Sequence, residues 1–107
     1  MATQGRLASI MSLANQDVLV YTVPADTATT ATIAIVNTGT APTTIRMYIT
    51  NQASYSSADA IEYDAVIQAG GVLERSCMPM GAGEKLIIRA AASSLAIRVA
   101  GFEADNS

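Results

Sequence analysis

Glu62 and Asp64, two positions apart in a run that alternates like a β-strand, are the residues whose types and spacing come nearest to chemistry. Two carboxylates on one strand face can act as general acid and base, as glycosidases use them across a scissile bond. Asp59, Glu62 and Asp64 together would offer oxygen ligands to a hard cation, but the glycine and terminal glutamate of a dedicated calcium loop are missing. The plainer expectation is a solvated face whose acids pair across strands with Arg46 or Arg89. Gly81-Ala82-Gly83-Glu84-Lys85 has the glycines of a phosphate loop without its Gly-Lys-Ser/Thr ending, and a strand follows it, so a tight turn accounts for it. Cys77, between Ser76 and Met78-Pro79-Met80, reads as a buried, inert thiol. Lys85, the single lysine, is expected at the surface. The chain has no histidine, which removes Ser/His/Asp and Cys/His catalysis. The expectation is therefore a protein that is not an enzyme and takes no cofactor and no metal.

The elements that would carry these residues follow from composition and periodicity. At 107 residues the chain suits one domain, and half of it is hydrophobic while 14% is charged, so it has material for a core. The apolar residues are mainly Ala, Ile, Val and Leu, with one Phe, four Tyr and no Trp, beside abundant Thr and Ser. That mixture suits pleated strands with one buried and one mildly polar face. With one cysteine there is no intrachain disulfide, so packing must hold the fold. Net charge is −3 and the six basic residues are scattered, so no row of phosphates would be neutralised and nucleic acid is not an expected partner. The start lacks the pattern of a signal peptide and no apolar run reaches the ~20 residues of a membrane span, which leads to an expectation of cytoplasmic synthesis and no membrane partner.

Along the chain, residues 1–16 read as an N-terminal arm or edge segment, 17–103 as a β-sandwich domain and 104–107 as a frayed tail that begins near Glu103. Val18 to Val23 are nearly all β-formers, ended by Pro24. Ala31, Ile33 and Ile35 alternate against Thr30, Thr32 and Ala34, and Ile45, Met47 and Ile49 against Thr44, Arg46 and Tyr48. Those two strands, joined by the turn residues 37–42, are expected to form a hairpin. Residues 51–58 read as a longer surface loop. Ile61, Tyr63 and Ile67 are expected to share the inner face of the next strand. Further runs over 72–76, 85–91 and 95–102 bring the total to about seven or eight short strands at the spacing of a sandwich or small barrel. The expected fold is all-β: an immunoglobulin-like or jelly-roll-like antiparallel β-sandwich.

Several phrases, in their order and spacing, resemble a group of small stand-alone structural proteins of tailed bacteriophages, the cyanophage-like ones especially. They are Gly5-Arg6-Leu7, Tyr21-Thr22-Val23-Pro24-Ala25, Val36-Asn37-Thr38-Gly39 leading to Thr44-Ile45-Arg46, Ile61-Glu62-Tyr63-Asp64, Gly71-Val72-Leu73-Glu74-Arg75, Ala82-Gly83-Glu84 and Val99-Ala100-Gly101-Phe102-Glu103. They span nearly the whole chain, and none is a catalytic motif. The resemblance implies a β-sandwich used many times in a virion, as a head decoration (cement) protein or as a tail, baseplate or fibre accessory.

The leading expectation is thus a decoration protein that is assembled in the bacterial cytoplasm, resides in the virion and binds between capsid subunits. Its partners would be the major capsid protein or tail proteins and, as a homo-oligomer, its own copies. The low-charge Ala/Thr surface suits such repeated packing. Candidate contacts are Arg6, Leu7, Ile10, Met11 and Leu13, as an arm docked on a neighbour or as an ordinary edge strand, together with Tyr48 and Tyr55. A carbohydrate-binding module for host attachment is the alternative from another class, and it would use Tyr48, Tyr55 or Tyr63 as an exposed platform.

Overall fold

The computed structural model describes residues 3–105. Eight strands follow one another: β1 (Thr3–Met11), β2 (Asp17–Thr22), β3 (Thr27–Asn37), β4 (Thr43–Thr50), β5 (Ala60–Ile67), β6 (Val72–Met80), β7 (Lys85–Ala90) and β8 (Leu95–Asp105). One turn of 3₁₀ helix, Ser57–Asp59, precedes β5. The strands form two four-stranded antiparallel sheets, which we call the first sheet, in the order β1-β8-β3-β6, and the second sheet, in the order β2-β7-β4-β5. Each strand has a nested partner, first with last, second with seventh, third with sixth and fourth with fifth, and the pairs β3–β8 and β4–β7 complete the two sheets. This is a jelly roll, the second of the two sandwich types expected. An immunoglobulin-like sandwich joins its strands in a different order.

The alternation of β3, β4, β7 and β8 produces the core. Ile33 and Ile35 from β3, Ile45 and Met47 from β4, Leu86 and Ile88 from β7, and Leu95, Ile97 and Val99 from β8 are all at most 1% exposed and meet between the sheets. Each such side chain is worth about 1.5–3 kcal/mol when buried. The layer is aliphatic, as the composition demands.

The topology corrects several expectations. β3 and β4 are not a hairpin: the chain crosses from the first sheet to the second between them, and β3 pairs with β6 and β8 instead. Of the two alternatives for the N-terminal segment, arm or edge strand, residues 3–11 take the second: they form an edge strand of the same sandwich, in register with β8, with Leu7 and Ala8 packed on the core. The tail is not frayed at Glu103, because β8 runs on to Asp105 beside Thr27; residues 106 and 107 lie outside the described residues. Cys77 is exposed, not buried. Ser76 and Cys77 together oppose Thr32, a β-bulge that puts Cys77 at φ 55° and turns it to solvent while Met78 and Met80 go inward. β6 is an edge strand, which is where a sheet tolerates Pro79.

Bulges also rearrange β5. Ile61 and Asp64 are extra residues against β4, with Asp64 at φ 54°. Their insertion brings Tyr63 outward, 56% exposed, although alternation places it inside. It also separates the two carboxylates. Glu62 reaches across to Arg75 of the other sheet at 2.6 Å, whereas Asp64 meets Arg46 on the outer face. The Glu62–Arg75 pair bridges the edge strands β5 and β6. The two acids share no face, so an acid/base pair is not assembled.

Between the sheets, the Tyr21 hydroxyl bonds Thr29 Oγ1 at 2.9 Å and donates to the Glu103 carboxylate, tying β2 to β3 and to the end of β8. Burial first, then the Glu103 carboxylate, pushes the Tyr21 phenol up to about 12. Unfolded, it ionises near 10. Below pH 10 the phenol is neutral in both states and its contribution is complete. Between pH 10 and 12 the unfolded chain loses the proton while the folded one keeps it, so stability falls as pH rises. Alkaline denaturation monitored by circular dichroism is expected to show this loss in the wild type. Tyr21→Phe should start about 1–2 kcal/mol less stable at neutral pH, since Glu103 and Thr29 lose a partner, and should have a shallower slope above pH 10. Equal slopes would contradict the assignment.

Candidate contact face

The outer face of the second sheet carries most of the large polar and aromatic side chains. Cross-strand register arranges them in rows. Asp17 of β2, Arg89 of β7, Arg46 of β4 and Tyr63 of β5 form one row, and Leu19, Ile87, Tyr48 and Ala60 form the next. Arg46 and Arg89 are direct partners, a like-charge pair that would be unfavourable alone. Each has its own acid. Arg46 grips Asp64 through Nε at 2.7 Å and a second nitrogen at 3.3 Å, and Arg89 lies 3.3 Å from Asp17. The Asp64–Arg46 bond lowers the Asp64 pKa, and the same contact raises that of Arg46. The Arg46 guanidinium also lies 4.2 Å from the centre of the Tyr63 ring, a cation–π contact.

The loop 51–56 folds back over this face. Tyr55 stacks on Tyr48 with ring centres 3.8 Å apart and planes 18° from parallel, and its hydroxyl donates to Asp17 at 2.9 Å. Burial, then that hydrogen bond, raises the Tyr55 pKa. Tyr48 is only 3% exposed although it points outward, because Tyr55 covers it. The loop is anchored at its ends: Lys85 Nζ donates to the Gln52 carbonyl at 3.1 Å, and Ser56 N–H donates to Asp59 at 2.9 Å. An open cleft of about 550 Å³ lies beside it, lined by Asp17, Leu19, Ala53, Ser54, Tyr55 and Ile87. A smaller one of about 170 Å³ is lined by Asn15, Arg46, Asp64 and Arg89 among others.

Of the candidate contacts, the structure brings Tyr48 and Tyr55 together and leaves the other five elsewhere. Arg6, Leu7, Ile10 and Met11 sit on β1 at the edge of the first sheet, and Leu13 on the link to β2, with Ile10, Met11 and Leu13 40%, 47% and 50% exposed. Arg46, Asp17, Arg89 and Leu19 were missed as members of the face. Their signal was the outward half of the alternation in β2, β4 and β7, which sequence reading treats as solvated surface. Among the described residues no three His, Cys, Asp or Glu side chains lie close enough to hold a metal. The face offers aromatic rings, guanidinium groups held by their acids and exposed apolar side chains, the kinds of group that dominate binding at protein interfaces. No protein-family model, no curated protein and no solved structure matches this chain.

Proposed function

We propose that the chain is a non-enzymatic structural protein of a bacteriophage virion, a head decoration protein that seats the outer face of its second sheet across the junction between capsid subunits. The observation that carries this reading is the Tyr48–Tyr55–Asp17–Arg89–Arg46–Tyr63 surface, in which each polar group is already held by a neighbour. A surface ordered in advance loses little side-chain entropy on docking, so more of the contact energy appears as affinity. Tyr and Arg are also the residues that dominate binding at protein interfaces. The ordered phage-like phrases and the absence of histidine support the same reading. The jelly roll itself is neutral, since it serves capsid proteins, lectins and cupins alike. A sugar platform is less well supported, because Tyr48 is covered by Tyr55 and Arg46 lies over the Tyr63 ring.

The test is to strip the protein from purified particles and add it back. Stripped heads are expected to lose heat resistance and recover it with the wild type. Arg46→Ala and Tyr55→Ala, folded by circular dichroism, should each rebind roughly thirty-fold more weakly, as a loss of about 2 kcal/mol at a central contact implies. Heads that are equally heat-resistant without the protein, or variants that rebind like the wild type, would overturn the proposal.

A further inference from the structure

The outer face of the first sheet differs in kind from that of the second. Its central strand β3 presents Thr30, Thr32, Ala34 and Val36, all small or medium-sized. Register places β8 and β6 residues on either side in rows: Ala96–Val36–Val72, Arg98–Ala34–Glu74 and Phe102–Thr30–Pro79. Val72 and Phe102 are 62% and 51% exposed. Arg98 and Glu74 are also exposed, and among the described residues neither takes part in an ion pair. They lie two strands apart, about 10 Å, so that Ala34 separates the charges.

A two-fold axis laid along β3 in the plane of this face keeps each row level and exchanges β8 with β6. Arg98 of one copy then stands opposite Glu74 of the other, and the reverse pair forms on the far side of Ala34. Phe102 meets Pro79 and Val72 meets Ala96, while the small residues of β3 face their own copies and let the sheets approach. The crossing of about 30° that twisted sheets adopt when stacked shifts the charge partners along the strands by only a few Å, which long side chains span. The face is therefore complementary to itself in charge and in size, which is what a two-fold interface requires. We propose that this face is a self-association surface, on which a second copy of the chain docks back to back through β8, β3 and β6. Three strands by four rows give a footprint of about 14 by 25 Å per copy, which places the contact among small, transient interfaces that dissociate in the micromolar range or above. It uses the face opposite to the one assigned to the capsid and stands whether or not that assignment holds.

The experiment is sedimentation velocity of the full chain from ~5 to ~500 μM in low salt. The wild type is expected to shift from monomer toward dimer with rising concentration, and less so at 0.5 M salt (about a 4 Å screening length). Arg98→Glu and Glu74→Arg, each folded by circular dichroism, should each self-associate at least ten-fold more weakly, because like charges then face each other. Mixing the two single variants should restore association, since each supplies the charge the other lacks. A wild type that stays monomeric throughout, or a mixture no more associated than its components, would overturn the proposal. Arg46→Ala and Tyr55→Ala should leave the dimer unchanged, so a failure of capsid binding and a failure of dimerisation are read separately.

Discussion

Gly101→Ala is expected to leave little or no folded protein. A Cβ at this position would lie 2.1 Å from the Thr30 carbonyl oxygen and 3.0 Å from Ala31 Cα, both of them backbone atoms in the neighbouring strand. Gly101 also has φ 145°, a conformation that side-chain-bearing residues rarely adopt. It sits in β8 between β3 and β1, opposite Ala31 on one side and Gly5 on the other, so relief requires parting β8 from β3 in the interior of the sheet. The cost is expected to exceed about 4 kcal/mol, a large share of the 5–15 kcal/mol that holds a domain together. Urea denaturation followed by circular dichroism measures it if the variant folds at all. Gly83→Ala is the control, because Gly83 has φ 81° but nothing within 4 Å of its added Cβ. It should lose only the 1–2 kcal/mol of a left-handed backbone. If both variants melt alike, steric contact at Gly101 is not what fixes the approach of β8 to β3.

Asn37→Ala is the second large effect expected. Asn37 ends β3, is fully buried, and joins three connections that meet there. Its Nδ2 donates to the carbonyls of Ala41 at 2.9 Å and Ile67 at 3.0 Å, while Oδ1 accepts from Gly39 N–H at 2.9 Å and the Ser94 hydroxyl at 3.1 Å. Its own backbone bonds Gly70 and Gly71. Alanine would strand four polar groups, about 1 kcal/mol apiece, so a loss of about 3–4 kcal/mol is expected. Asn37→Asp keeps the shape but points a carboxylate at two carbonyl oxygens. Relative to the wild type it should be as damaging at neutral pH. The buried acid's pKa would be raised, so the deficit should shrink as pH falls toward the ordinary carboxylate value of about 4 and level off below it. A deficit that is independent of pH would show that Nδ2 is not the donor that matters.

These two residues also show what the sequence made legible. Asn37 reads as the end of a strand and the start of the turn residues after it, and the structure places it as the last residue of β3, but neither reading carries a sign that its side chain is the hub of three loops. Gly101 lies in a run read correctly as a strand, and its necessity arises from β3, some seventy positions earlier. Clean alternation was sufficient for the faces of β3, β4 and β8, because in those strands the hydrophobic period is unbroken. It failed wherever a bulge intervened: at Ser76–Cys77, which turned the thiol outward, and at Ile61 and Asp64, which turned Tyr63 outward and parted Glu62 from Asp64. A single inserted residue exchanges the two faces, and nothing in local composition announces it. Pairing was the least legible feature. Adjacent strands usually pair, which suggested a β3–β4 hairpin, whereas a jelly roll nests its strands from the ends inward. The candidate contact face was half legible: Tyr48 and Tyr55 were named, but their stacking depends on a loop that returns over the sheet.

On the two proposals the outer faces divide the labour: the second sheet would offer a prearranged Tyr/Arg surface to a partner, and the first a small-residue surface to another copy. The most direct test of the proposed role is a cryo-electron microscopy map of the virion proposed to carry this chain. Density for the sandwich is expected on the head lattice, over junctions between capsid subunits, with Arg46, Tyr55 and Tyr63 against the shell. Density confined to the tail, or a head-bound sandwich whose second sheet faces solvent, would contradict it.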